Sequence, residues 1–336
     1  RFYESLSFNL MFFLLFISSL TMFLSGLIAS FEFDLKKIIA LSTLSQLGLM
    51  LSILALGESM LTLFHLLMHA LFKALFFMCA GCLIFNLNCQ DIRFMGSLSN
   101  LSMTSCFMNI CNMALCGLPF LSGFYSKDLI LEFMSMNYVN VYIYMIYYLS
   151  VGLTVLYSFR LFYFTMIKEC SSYVYVHLGD YDFNMMKGML GLIISVIIAG
   201  SMISWLMFPT PYFICLPMMM KLMVIVILLL GIFLGFLISN FSYNDKSKVS
   251  KFLKFSYFIC SFFNLNLLTS FGVNYYFLIL GDKLMDLIDQ GWLEYYGSQN
   301  LYVLMNSKTK LFQSIFSNNM MIFLTLFLIW IVLMIF

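Results

Sequence analysis

Three ionisable side chains recur at a spacing of four within one apolar run: His65, His69 and Lys73, at positions 64–73. That spacing puts them on one face of a helix, drifting about 40° per step and climbing about 12 Å from first to last. Imidazole titrates near neutrality, and a lysine taken out of water holds its proton less tightly. The stripe can therefore hand a proton along, with water filling the gaps. The plainer reading of any one of these histidines is a hydrogen-bonded packing residue. No carboxylate or thiolate is spaced to complete a metal site with them. A second candidate is Lys127, which directly follows a stretch holding Pro119 and Gly123. It could exchange protons between water and buried groups, or snorkel to the interface beside Asp128, with Glu132 one turn further on. Arg160 sits inside another apolar run, where pairing with a carboxylate or snorkelling accounts for it. Ser42, Thr43, Ser45 and Gln46 cluster on one segment and can bond across helices or line a wet path, packing being the safer reading.

The elements that carry these residues are set by composition. Of 336 residues, 63% are hydrophobic and 10% charged, and the mean hydropathy is +0.99. A water-soluble domain holds about 25% charged residues, so neither a soluble enzyme nor a disordered chain fits. The formal net charge of +2 is too small for a nucleic-acid binder. Runs long enough to cross a bilayer as helices fall at 8–31, 37–56, 59–86, 101–124, 139–167, 187–208, 214–239 and 319–336. They are continuous rather than alternating, which excludes a barrel. Pro119 and Gly123 should break the fourth span, and breaks at membrane depth are tolerated where they line a cavity or pack in protein. The fold class is therefore an all-α polytopic membrane protein with a discontinuous helix.

Threading the spans alternately puts Lys36, Lys37, Arg93, Lys168, Lys187, Lys246, Lys248, Lys251, Lys254, Lys283, Lys308 and Lys310 on one side. Only Arg1, Lys127 and Lys221 fall near the other, so the basic side should face the cytoplasm or an organelle matrix. Between 243 and 316 the pattern becomes amphipathic. Lys248, Lys251 and Lys254 recur at threes, and Asp282, Lys283, Asp286, Asp289 and Gln290 share one stripe while Leu284, Leu287 and Ile288 share another. Such a helix lies on the membrane surface or packs along neighbouring subunits. The cysteines, including Cys79, Cys82, Cys106, Cys111 and Cys116, sit mostly in apolar segments and read as buried small hydrophobes. Gly231 and Gly235 form a GxxxG, a weak sign of a dimer face. No flavin, iron–sulfur or nucleotide motif is present. The opening run has a poor n-region and no small-residue cleavage pattern, so it does not read as a signal peptide. A start at Arg1 is what a piece of a longer or processed protein would show.

Three stretches in order, 34–48, the His65/His69/Lys73 segment, and 118–128 with Pro119, Gly123, Lys127 and Asp128, resemble the antiporter-like membrane subunits of respiratory complex I. The likeness extends more loosely to the end, through 286–294. The resemblance implies inverted repeats of five helices, each with a broken helix and a central lysine. Residues 8–168 would be the second repeat, 187–239 two further helices, 243–316 a lateral helix along the membrane arm, and 319–336 a final anchor. It also implies roles: Lys73 as the central lysine, His65 and His69 as connecting histidines, and Lys127 as the lysine on the broken helix from which the proton leaves. Asp128 and Arg160 would be secondary members.

The function expected from this resemblance is proton translocation coupled to NADH oxidation and ubiquinone reduction carried out elsewhere in a mitochondrial inner-membrane complex. The basic side would then face the matrix, and the lateral helix would pack between subunits. Flavin, iron–sulfur clusters and quinone would belong to partner subunits, with no cofactor in this chain. The partners would be other membrane-arm subunits, including antiporter-like paralogues, and phospholipid, with no nucleic acid. The first repeat and its glutamate–lysine pair do not appear in this sequence, so the chain by itself would not hold the whole route. Two rivals remain: a subunit of a multisubunit cation/proton antiporter, and a structural clamp of the membrane arm with an inert transport half.

Overall fold

Helices of this apolarity leave no backbone donor or acceptor to seek water that a bilayer lacks, and the chain folds accordingly. The computed structural model describes residues 3–96, 98, 101–137, 140–169, 179–180, 183–240, 253–261, 264–317 and 319–335. They form two units, Arg1–Phe263 and Asn264–Phe336.

The first unit is built of α1 (Phe8–Phe31), α2 (Leu35–Ala55), α3 (Ser59–Leu87), α4 (Ser102–Cys116), α5 (Ser122–Met136), α6 (Val141–Phe162), α7 (Phe183–Met207), α8 (Met218–Asn240) and the short α9 (Leu253–Cys260). Six of these helices, α1, α2, α3, α6, α7 and α8, are long and apolar enough to cross a membrane. α3 lies at the centre, against α2, α4, α5 and α7, while α6 lies against α1, α4 and α8. Two buried apolar clusters fill the bundle, one around Phe72, Leu75, Leu83, Ile92 and Leu115 and one around Met22, Leu49, Ile53, Leu61 and Ile130.

The break expected at Pro119 divides one span into two half-length helices, α4 and α5, so the discontinuous element runs on to Met136 rather than ending near 124. Gly117 takes the left-handed conformation (φ 81°) and closes α4, with the Leu118 N–H on the Met113 carbonyl at 3.2 Å. Phe120 is also left-handed (φ 70°) and redirects the chain into α5. The two halves touch backbone to backbone: a Cβ at Gly123 would fall on the Ala114 carbonyl. Gly200 of α7 also lies close to Ser122, at 2.6 Å from its Cα for an added Cβ.

Gly231 and Gly235 do not offer a dimer face. An added Cβ there would meet the Gly152 and Leu156 carbonyls of α6 at 2.9 and 3.0 Å, so both glycines serve packing within the chain. Cys79, Cys82 and Cys111 are buried as expected, whereas Cys106 is exposed. Lys187, counted with a loop by the threading, lies inside α7, which starts four residues before the span read from the sequence.

Residues 241–252, which carry Lys246, Lys248 and Lys251, lie outside the described residues, as does the side chain of Lys254. α9 joins the first unit, where Ile259 is buried in the core. In the second unit, helical turns run from 265 to 317, with π-type stretches at Leu268–Val273, Met285–Leu293 and Tyr295–Gln299. The wider π turns rotate successive residues less than α turns do, so the stripes read at α-helical spacing wind around this run. The last helix, Met320–Ile335, has 16 residues, about 24 Å of rise.

Candidate functional site

Pro119 is the origin of the site. In an uninterrupted helix the Leu115 carbonyl would accept the N–H of residue 119, and proline has none. That carbonyl is taken instead by the Lys127 ammonium, which donates to it at 2.5 Å. The cation thus sits at a helix C-terminus, where the aligned peptide dipoles favour it. Its stem lies on Gly117, with Cδ 3.5 Å from where a Cβ would stand, so the left-handed glycine both ends α4 and clears the path for the lysine. Lys127 is buried, not snorkelling, and its second partner is Thr154 Oγ1 of α6 at 3.5 Å. Asp128, the next residue, is only half-buried and shares its surroundings with Glu132 and Lys221 rather than pairing with Lys127.

The stripe on α3 faces inward as the spacing required, and His65, His69 and Lys73 are all buried. His65 is held at both nitrogens, Nδ1 2.9 Å from Ser126 Oγ and Nε2 3.2 Å from Gln46 Oε1. Since Ser126 precedes Lys127 on α5, the histidine and that lysine are brought to one place by the broken helix. His69 follows at 6.4 Å between ring centroids, packs edge-on to Phe72, and leaves its buried Nε2 without a hydrogen bond. Lys73 donates to Ser42 Oγ and lies 5.3 Å from the Phe76 ring centroid.

The hydroxyls around these cations share one arrangement. Ser42 donates to the Ile39 carbonyl (2.7 Å), Thr154 to Val151 (2.8 Å) and Ser126 to Gly123 (3.3 Å). With their protons on their own helices, Ser42 and Thr154 turn lone pairs toward Lys73 and Lys127, while Ser126, nearer to His65 Nδ1 than to the Gly123 carbonyl, can accept from that nitrogen or donate to it. Among the described residues, none of the four ionisable groups makes an ion pair with a carboxylate. The residues form a line of neutral acceptors and titratable groups through the bundle, and the buried Asn112 Nδ2 and His69 Nε2 make no hydrogen bond among the described residues. Such atoms are where buried water is held. Among the described residues no cluster of His, Cys, Asp or Glu could hold a metal ion.

Ser42 and Gln46 thus bond across helices to the titratable stripe itself, Ser42 to Lys73 and Gln46 to His65. A signal for them existed: α2 and α3 are antiparallel neighbours, and polar residues four apart on one can meet a polar stripe on the other. Ser126, Thr154 and the Leu115 carbonyl carried no such signal, because serines and threonines bonded to their own helix are common in apolar helices.

Arg160 is placed differently from either expectation. It is buried, and its guanidinium donates to the carbonyls of Ser30 (2.6 Å), Glu32 (2.8 Å) and Phe31 (3.5 Å), the unsatisfied end of α1. Phe33 lies between two guanidiniums, 4.6 Å from Arg160 and 4.2 Å from Arg93. The α1–α2 turn is tied to the α3–α4 connection by the Leu35 N–H on the Gln90 carbonyl and the Ile92 N–H on Phe33. Lys168 donates to the Arg93 carbonyl at 3.1 Å, and Lys37 pairs with Asp34 at 2.8 Å. Lys37, Arg93, Arg160 and Lys168 are thus gathered at one end of the bundle. Burial there pushes the Glu32 carboxyl up, with nearby Lys37 opposing it.

Residues 157–336 match the family described as NADH dehydrogenase subunit 5 C-terminus. The chain belongs to the NADH dehydrogenase subunit 5 family. Residues 1–157 match a second description, NADH:quinone oxidoreductase/Mrp antiporter, transmembrane. Curated relatives of the subunit 5 family include the NADH-ubiquinone oxidoreductase chain 5 of Aedes aegypti, 48% identical over 96% of this chain and 56% of that protein. The chain 5 of Locusta migratoria is 47% identical over 95% and 56%, and that of Lumbricus terrestris 35% over 90% and 53%. The chain spans about half the length of these relatives. In fold it is similar to a chain of the Mrp complex from Dietzia sp., at a TM-score of 0.56 and 16% identity over 78% of this chain and 31% of that one. It is also similar to a chain of the membrane-bound sulfane sulfur reductase, an archaeal respiratory membrane complex, at 0.52 and 22% over 68% and 44%.

Proposed function

We propose that this chain is a membrane-arm subunit of respiratory complex I in the mitochondrial inner membrane, carrying protons while NADH oxidation and ubiquinone reduction occur in other subunits. One observation carries the reading: His65, His69, Lys73 and Lys127 are buried in an apolar bundle with neutral acceptors and no carboxylate partner. A charge at membrane depth costs at least about 2.5–3.5 kcal/mol, and four such groups in one line make sense where the charge is to be moved. The names of the subunit 5 relatives support the redox context.

A proton released by Lys73 passes by way of His69 and His65, through water at the unpartnered His69 Nε2, toward Lys127. Ser42 and Thr154 supply lone pairs along the route, and Ser126 serves His65 Nδ1 as acceptor or donor according to the proton on the ring. Lys127, anchored on the carbonyl that Pro119 cannot serve, is the group from which the proton leaves this line. Asp128 stands with Glu132 and Lys221 at the side of the line as a secondary member, and Arg160 holds the turn after α1 in place. No cofactor is assigned to this chain; flavin, iron–sulfur clusters and quinone belong to partner subunits. Residues 8–168 act as one five-helix repeat extended by 187–239. The 243–316 region packs along neighbouring membrane-arm subunits and the last helix anchors it, with phospholipid on the remaining apolar faces. The end bearing Lys37, Arg93 and Lys168 faces the matrix.

The test is proton pumping per NADH oxidised in vesicles holding the assembled complex with Lys73→Met or Lys127→Met. The ratio is expected to fall while assembly persists, and an unchanged ratio with both variants would overturn the proposal. The match of residues 1–157 to a description that includes the Mrp antiporter supports a second reading, cation/proton exchange. Sodium-dependent proton movement in vesicles without NADH would favour it.

A further inference from the structure

Two buried polar atoms at the helix break are left over by the bonds of the site. They are Nε2 of His69 and the hydroxyl of Ser122, the first residue of α5. Neither makes a hydrogen bond among the described residues, and both side chains are more than nine-tenths buried. The register of the helices brings them to one level. Cys82 of α3 and Thr104 of α4 line one cavity, and Lys73 lies within electrostatic reach of Cys111. Further along, His65 Nδ1 meets Ser126 Oγ at 2.9 Å. Positions fall along α3 as they rise along α4 and α5, so the broken helix runs antiparallel to α3. His69, between Lys73 and His65, is therefore level with the stretch between Cys111 and Ser126, which holds the break. Ser122 and Ser126 are four apart and share a face of α5, as His65 and His69 share a face of α3. With Ser126 on His65, Ser122 stands one turn along, opposite His69.

The start of α5 adds further donors. The first N–H groups of a helix have no acceptor within it, and Leu121 at the N-cap carries no side-chain oxygen to serve them. α7 covers this end at Gly200, where an added Cβ would lie 2.6 Å from Ser122 Cα. Buried polar atoms that face one another without a direct bond are bridged by water, which needs two to four polar partners. We propose that the break between α4 and α5 holds an ordered water between His69 Nε2, the Ser122 hydroxyl and the first N–H groups of α5. When Nε2 carries its proton, the water accepts from it and donates to Ser122 Oγ. When Nε2 is bare, the water donates to it, and the Ser122 hydroxyl turns to donate to the water. In a transfer the His69 N–H bond breaks as the water oxygen takes that proton and releases one of its own toward the Ser126–His65 pair. The water and Ser122 end as they began. Ser122 acts through the water and is a positioning residue. The inference rests on the reading of His69 as part of a proton route.

The test uses the assembled complex in membrane vesicles, comparing Ser122→Ala, Ser105→Ala and Lys73→Met with the wild type. Ser122→Ala removes the hydroxyl and leaves a good helix former in its place. Ser105→Ala makes the same change at a buried serine of α4 whose hydroxyl donates to the Ser102 carbonyl at 2.9 Å. Ser122→Ala is expected to assemble and to pump more slowly, on the order of threefold to tenfold, the scale of one lost hydrogen bond. Ser105→Ala is expected to pump as the wild type does. The readout that packing alone would not move is the turnover-induced infrared difference spectrum. The wild type and Ser105→Ala are expected to show a water O–H band that shifts in water labelled with heavy oxygen, and Ser122→Ala to lack it. Normal pumping by Ser122→Ala, or the same labelled-water bands in wild type and Ser122→Ala, would overturn the water site. If Lys73→Met also pumps normally, the proton route itself has failed. If Lys73→Met loses pumping while Ser122→Ala keeps it, only the water site has.

Discussion

Replacing Gly123 by alanine tests whether the junction of the broken helix positions Lys127. The added Cβ would fall on the Ala114 carbonyl, with the carbonyl carbon at 2.9 Å and Ala114 Cα at 3.6 Å. Ordinary carbon contacts lie at about 3.5–4.0 Å, so α5 must withdraw from α4 by on the order of 1 Å. Both sides of the clash are backbone, and no side-chain rotation relieves it. Lys127 is one turn along from Gly123 on the same helix. A withdrawal of about 1 Å opens its 2.5 Å bond to Leu115 beyond hydrogen-bonding distance. The crowding costs about 1–3 kcal/mol, and a Leu115 carbonyl left without a donor about 1–3 kcal/mol more. The expected outcome is a complex recovered in reduced amount on a native gel, whose surviving fraction pumps at least several-fold fewer protons per NADH oxidised. Gly81→Ala is the control, because a Cβ there meets nothing within 4 Å and Gly81 lies in mid-helix. It should be neutral or stabilise by roughly 0.4–1 kcal/mol. Gly123→Ala with wild-type assembly and pumping would refute the claim that backbone contact at the break sets the lysine.

Three further outcomes follow from the same geometry. Ser42→Ala removes the acceptor of Lys73 and the side-chain bond to the Ile39 carbonyl while leaving the backbone of α2 intact; assembly should hold while proton pumping falls on the order of tenfold. Arg160→Met strips the guanidinium donors from the carbonyls of Ser30 and Glu32 at about 1–3 kcal/mol each and leaves Phe31 only its Cys260 contact, so the assembled complex should be scarce by native gel, with Arg160→Lys intermediate. At the same end, burial pushes the Asp91 carboxyl up, but the hydrogen bonds from Arg93 outweigh it and hold the group below its ordinary value. The stabilisation is therefore present above the ordinary carboxylate range and lost as pH falls through the lower folded-state value. Thermal unfolding of the purified complex should show that loss on its acid side, and Asp91→Asn should diminish it.

How much of this was legible beforehand depends on the residue. His65, His69 and Lys73 could be read directly, because a spacing of four fixes a helix face whatever the neighbours are. The break at Pro119 could be read too, since a missing N–H is a property of the residue and not of its surroundings. Lys127 beside Asp128 could not be decided between snorkelling and burial. The two readings differ in whether the lysine finds an acceptor inside, and that acceptor is a backbone carbonyl twelve positions away that no side-chain pattern advertises. Arg160 was open for the same reason: its partners are three carbonyls at the end of α1. Gly231 and Gly235 looked the same on paper whether they met a second chain or α6.

Composition and spacing by themselves determined that the chain is an all-helical membrane protein, that the apolar run holding Pro119 breaks, and which face of α3 carries the titratable stripe. These are consequences of covalent chemistry and local periodicity: apolar runs must satisfy their own backbone, proline lacks a donor, and a helix repeats every 3.6 residues. Only the tertiary structure decided what each charged group touches. It placed Lys127 on the Leu115 carbonyl, His65 between Ser126 and Gln46, Lys73 on Ser42, and Arg160 over the end of α1. Such pairings depend on which helices are neighbours and in what register, and a hydroxyl or carbonyl becomes a site only when another helix delivers a cation to it.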